Sequence, residues 1–149
     1  MKNNPVLQNT MVGVLGGFAL LFGDEASDKA LRPAPGAQLL SAKVSFNGPH
    51  KGTLILASTK AFSDLISSNA DEDNHIRTGN INHDALREFI NIACGNYLAE
   101  AYGNKVLHTI ETPVVEQITL KEWDEFFLKG EDGFIIEGNP VITAVITEN

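Results

Sequence analysis

Cysteine, clustered positive charge and long apolar runs are all scarce in this chain, and each scarcity closes off a class of function. Among 149 residues there is one cysteine, so Cys94 has no internal disulfide partner and cannot by itself assemble a zinc or iron–sulfur site. A lone thiol fits a reducing compartment, and a cytoplasmic location is expected. Lys and Arg number 11 against 19 Asp and Glu, a net charge of −8. No two basic residues are adjacent. A surface that tracks nucleic-acid phosphates needs clustered Lys and Arg, so DNA and RNA are poor candidates as partners. The excess acidity lies late in the chain: residues 1–102 hold 8 basic and 10 acidic side chains, residues 103–149 hold 3 and 9.

The longest apolar stretch, Met11 to Phe22, falls short of the roughly 18–20 residues needed to span a membrane. Its flanks are wrong for a secretory signal, with only Lys2 before it and Gly23-Asp24-Glu25 after it. A buried helix starting near Pro5 is the expectation, because Pro is tolerated in a first helical turn. Gly13, Gly16 and Gly17 do not form a dinucleotide-binding Gly-x-Gly-x-x-Gly, and no phosphate-binding Walker motif occurs. Close packing of that helix is their expected use.

A composition of 43% hydrophobic and 20% charged residues is that of a globular protein, and the length fits one domain over residues 1–149. The stretch from Asp24 to Gln38, with Pro33, Pro35 and Gly36, reads as a surface connection. Two β-prone runs, 39–46 and 52–58, flank Asn47-Gly48-Pro49-His50-Lys51 and predict a hairpin. Ser58 or Thr59 then caps a short helix carrying Ala61, Phe62, Leu65 and Ile66, and residues 69–82 read as a loop. A long helix is expected from about Asn82 to Tyr102, stopped by Gly103. Strands are expected over 106–110 and 114–120 around Pro113. Thr119 and Glu122 form the capping box of a helix reaching Phe127, and strands 134–137 and 141–146 pair across Gly138-Asn139-Pro140. The pattern is α+β: two layers, a largely antiparallel β-sheet covered by two long helices.

The informative segment runs from Asp84 to Asn96 within the long helix. At about 100° per residue, Leu86, Phe89, Ile90, Ala93 and Tyr97 share one face. Asp84, Glu88, Asn91 and Gly95 line the opposite face in steps of four, three and four. Amphipathicity accounts fully for the apolar face. It does not account for Asn and Gly in the middle of the outer one, where Gly costs about 1 kcal/mol relative to Ala. A glycine there leaves room for something to approach the helix closely.

Glu88-x-x-Asn91 followed by Gly95-Asn96, with Asp84 four residues before and Pro113 some twenty after, resembles the signature helix of the CheC/CheX/FliY response-regulator phosphatases. The upstream segment Val44 to Leu56 is similar to that family's hairpin, so the resemblance covers roughly residues 39–115. CheC-type members carry the pair on two helices. Here the first helix reads Val6-Leu-Gln8-Asn9-Thr-Met11 and lacks it. One site per chain is the CheX arrangement, which implies a homodimer with two symmetric sites.

The resemblance implies a phosphorylated CheY-type response regulator as substrate, and the regulator itself supplies the phosphoaspartate, a Mg²⁺ and a lysine. No cofactor or metal of the chain's own is then required. Glu88 and Asn91 are the implied catalytic pair. Asn91 holds the attacking water in line, and Glu88 engages the regulator's lysine. Asp84 and Gly95 are candidate partner-binding residues, although Asp84 equally suits the positive end of a helix dipole. Two other readings stay open: a non-catalytic regulator-binding or scaffold module with the same fold, and an unrelated α+β domain with an enclosed apolar pocket. Cys94 is expected to be an inert core thiol, and His50, His75, His83 and His108 show no metal-ligand spacing. Asp71-Glu-Asp-Asn74 lacks the later Gly and Glu of a calcium loop.

Overall fold

Two strands buried over most of their length, within residues 39–59, build the centre of the molecule. The computed structural model describes residues 3–19, 24–25, 28–71 and 83–148. In chain order its elements are α1 (Pro5–Ala19), β1 (Asp24–Glu25), a 3-10 turn (Asp28–Leu31), β2 (Leu39–Asn47) and β3 (Lys51–Thr59), then α2 (Lys60–Asp71) and α3 (Asp84–Tyr102). They continue with β4 (Thr109–Ile110), β5 (Val114–Ile118), α4 (Leu120–Lys129), β6 (Asp132–Ile136) and β7 (Asn139–Glu148). The strands form one sheet in the order β1-β6-β7-β3-β2-β4, with β5 also pairing to β2. Every pairing is antiparallel. The α+β, antiparallel expectation holds.

Side chains alternate across a pleated strand, so each strand feeds two cores. Leu40, Ala42, Val44 and Phe46 of β2, Leu54 and Leu56 of β3, and Val141 and Val145 of β7 face the main core. There they meet Leu7, Met11 and Leu15 of α1, Phe62 and Ile66 of α2, and the apolar face of α3. Burying a side chain of this size contributes about 1.5–3 kcal/mol. The opposite parity, Leu39, Ala57 and Ile142, meets Ile118 and Trp123 in a smaller cluster. Helix α4 therefore caps part of the reverse face, in addition to the layer formed by the long helices.

Local chemistry sets most of the boundaries. The Asn4 side chain accepts from Leu7 N–H at 3.1 Å and opens α1, as Thr59 does for α2 by accepting from Phe62 N–H at 3.1 Å. Both halves of the Thr119–Glu122 capping box are present at the start of α4. Gly103, at φ 91, ends α3 and returns its N–H to Ala99 O. Between β6 and β7 the turn is the two-residue Glu137-Gly138, both with positive φ, which is the backbone that matches the twist of paired strands. Pro140 thus belongs to β7 and not to the turn. It precedes Val141, where pairing with β3 begins, so its missing N–H breaks no rung of that ladder.

Two other expectations change. Gly13 and Gly17 are exposed, and a Cβ added to either would meet no atom within 4 Å, so these two do not serve close packing. The strand expected over 106–110 shrinks to Thr109–Ile110. Just before it, His108 Nε2 lies 3.2 Å from His50 Nδ1, and His50 stacks on Tyr102 at 3.5 Å between ring centroids. These rings pin the hairpin turn to the C-terminal end of α3. The expected loop at 69–82 begins later, because α2 runs to Asp71; residues 72–82, with the acidic run and His75, lie outside the described residues. Among the described residues no helix is long and apolar enough to cross a membrane.

Candidate functional site

Helix α3 has two faces with different work to do. Ala85, Leu86, Phe89, Ile90, Ala93, Cys94, Tyr97 and Leu98 are buried. Burial pushes the Cys94 thiol up to about 12, so at neutral pH it is protonated and packs as an apolar group. Burial also raises the Tyr97 hydroxyl above its usual range. Because the buried face is fixed on the sheet, the outer face is fixed too.

On that outer face Asp84, Glu88 and Asn91 are exposed and Gly95 is half-buried. Asp84 occupies the first turn. Glu88 and Asn91 stand one turn apart, about 4.5 Å along the axis at 1.5 Å per residue. Gly95 has ordinary helical φ. A Cβ on it would meet only the Ile110 methyl Cδ1, at an unstrained 3.8 Å. Nothing in the fold demands glycine here. Pro113, the last residue of the pattern, lies beside the same helix: its carbonyl accepts from the Arg87 guanidinium at 2.8 Å. The structure thus brings Glu88, Asn91, Gly95 and Pro113 to one side of α3. Nothing in the sequence singles out Arg87, since a bond across 26 residues leaves no local signal.

This is an open helix face. Among the described residues, concavities lie elsewhere: one of about 470 Å³ between residues 32–39 and 118–120 and one of about 100 Å³ beside Trp123. Neither includes a residue of the outer face of α3. Among the described residues no group of three or more His, Cys, Asp or Glu side chains is placed to hold a metal ion.

An antiparallel α+β sheet covered by long helices, one of which exposes Glu88 and Asn91, is a fold of the CheC-like class. The family model described as chemotaxis phosphatase CheX matches residues 40–123, more than half of the chain. The chain belongs to that family. Among solved structures it is similar to a chemotaxis protein CheX from Desulfovibrio desulfuricans, with 16% identity, 97% of each chain covered and a TM-score of 0.67. CheX from Vibrio vulnificus is similar over 97% of this chain and 95% of that one, at 13% identity and TM-score 0.65. A third is the CheX–CheY–BeF3–Mg²⁺ complex from Borrelia burgdorferi, at 16% identity, 97% coverage of both chains and TM-score 0.61. No curated protein sequence matches the chain.

Proposed function

We propose that this member of the chemotaxis phosphatase family hydrolyses the aspartyl phosphate of a CheY-type response regulator, with Asn91 positioning water and Glu88 anchoring the partner. The observation that carries this reading is the exposure of Glu88 and Asn91 on the one face of α3 that the core does not use. The solved CheX–CheY complex supports the choice of partner at the level of the fold.

Phosphoryl transfer to water passes through a loose transition state, and catalysis is mostly positioning and charge stabilisation. The regulator brings the phosphoaspartate, a Mg²⁺ and a lysine. The Asn91 carboxamide completes this site by hydrogen-bonding the attacking water while adding no negative charge next to the phosphoryl oxygens. A carboxylate in its place would be repelled. Glu88, one turn away, forms a charge-assisted hydrogen bond to the regulator's lysine and sets the docking register. A single Glu-x-x-Asn helix per chain supports a homodimer with two equivalent sites, which light scattering would detect. The protonated, unpaired Cys94 suits the cytoplasm, where such regulators act.

The deciding experiment follows loss of aspartyl phosphate from a panel of CheY-type regulators with wild-type protein and with Asn91→Ala. The wild type accelerates the loss for a cognate regulator, and Asn91→Ala reduces that acceleration on the order of 100-fold, the usual effect of removing one oriented polar group. Binding with no acceleration for any regulator would instead assign the chain a non-catalytic, regulator-sequestering role.

A further inference from the structure

Strand β2 is paired along one edge by β4 and then by β5, and the two registers do not match. Phe46 is opposite Ile110, and Lys43 is opposite Val114. Between these pairs β2 has two residues, Val44 and Ser45, while the edge has three: Glu111, Thr112 and Pro113. The extra residue makes a β-bulge, a feature that bends an edge and re-aims its side chains. Glu111 N–H still donates to Ser45 O at 2.9 Å. Pro113 has no N–H to give, and its carbonyl accepts from Arg87 of α3.

That bond places the bulge beside the candidate site. Ile110 lies against Gly95 and Pro113 against Arg87. Arg87 and Gly95 are separated by about 12 Å along the helix axis, and the three peptide steps from Ile110 to Pro113 cover about 10 Å. The bulge therefore runs alongside α3, in the opposite direction, past the very turns that carry Glu88 and Asn91. Glu111 and Thr112 are exposed on it. The exposed charges on the two walls are Asp84, Glu88 and Glu111, while the cation Arg87 is engaged with the Pro113 carbonyl.

We infer that the Glu111–Pro113 bulge is a second wall of the regulator-docking face, that Arg87 is the positioning residue holding it beside Asn91, and that Glu111 contacts a cationic group at the rim of the phosphorylated receiver domain. This rests on the proposed function and adds a residue that selects the partner. The occupant is a receiver domain because the acidic wall complements a cation next to a phosphoryl group and is continuous with the Glu88–Asn91 face.

The test measures binding of a regulator loaded with beryllofluoride and Mg²⁺, together with kcat and KM for aspartyl-phosphate loss. Glu111→Lys and Arg87→Ala each raise Kd and KM roughly tenfold at low salt and leave kcat within about twofold, as expected of a steering contact. Arg87→Lys, which keeps the charge and an N–H donor for the Pro113 carbonyl, recovers part of the lost affinity. Asn91→Ala shows the reverse split, with kcat lost and binding kept. Should Arg87→Ala melt early, Glu111→Lys decides alone, since it alters only an exposed side chain. Wild-type affinity and KM in Glu111→Lys, in a protein whose wild type binds and turns over the regulator, would overturn the inference and leave the function intact. A wild type that neither binds nor dephosphorylates any regulator removes the function, and this inference with it.

Discussion

Gly95 offers a substitution in which stability and activity move in opposite directions. The residue lies in the middle of a 19-residue helix, has helical φ, and would place a Cβ in open space apart from the Ile110 methyl at 3.8 Å. Helix propensity favours Ala over Gly by about 0.8–1.0 kcal/mol, and Gln by only a little less. No contact of the added Cβ opposes that gain. Gly95→Ala and Gly95→Gln are therefore both expected to stabilise the protein by roughly 0.5–1 kcal/mol, which for a domain of this size raises Tm by about 1–4 °C. If the space above Gly95 receives the partner, activity falls as the side chain grows, with Ala losing little and Gln losing most of the affinity for the regulator. Thermal unfolding and aspartyl-phosphate decay, run on the same preparations, read both effects. A Gln variant that is more stable and equally active would refute the idea that the glycine is kept for docking. One that is less stable would show that the glycine serves the fold after all.

Other consequences are quickly checked. The Cys94 thiol, raised to about 12 in the folded state, stays protonated between about pH 9 and 12 while the unfolded thiol ionises. The native state then holds more protons than the unfolded one, so stability is complete below pH 9 and declines above it, with a slope of up to about 1.4 kcal/mol per pH unit. Cys94→Ala should flatten the part of this decline that begins near pH 9, as read from urea unfolding at stepped pH. The native thiol should also resist iodoacetamide at pH 8 and react once the protein is unfolded. Thr119→Ala removes the half of the capping box in which the Thr119 hydroxyl accepts from Glu122 N–H at 3.1 Å, leaving the bond from the Thr119 N–H to the Glu122 carboxylate; it should lower the denaturant midpoint by an amount equivalent to about 1 kcal/mol, with the m-value unchanged. An unaltered midpoint would mean that α4 contributes little to the cooperative fold.

Features governed by near neighbours in the chain are legible in the sequence. The 3.6-residue period and Gly103 mark α3, Asn47-Gly48 marks the first hairpin, and Thr119 with Glu122 marks α4. Residue spacing alone also places Asp84, Glu88, Asn91 and Gly95 on one face. Features set by long-range contacts are hidden. The bulge at 111–113 follows from a register difference between β4 and β5 on a strand some sixty residues earlier. Arg87 is distinguished by a carbonyl it reaches 26 residues along the chain. The shortening of β4 goes with the His50–His108 contact across 58 residues, and the second turn differs from expectation because Pro140 precedes pairing with β3. Gly13 and Gly17 of α1 mislead in the other direction, since an exposed helical glycine and a packed one look identical in a sequence.

The division of α3 into a buried face and an exposed face also bears on how such a protein changes over time. Substitutions at Phe89 or Ile90 are paid for in folding, whichever partner is present. Asp84 and Glu88, with Glu111 on the adjoining strand, are exposed, Gly95 is half-buried, and none of the four belongs to the main core. Partner preference can therefore drift, one exposed residue at a time, in a scaffold that keeps its stability throughout. A lineage of such proteins would retain one architecture while its members come to serve different regulators.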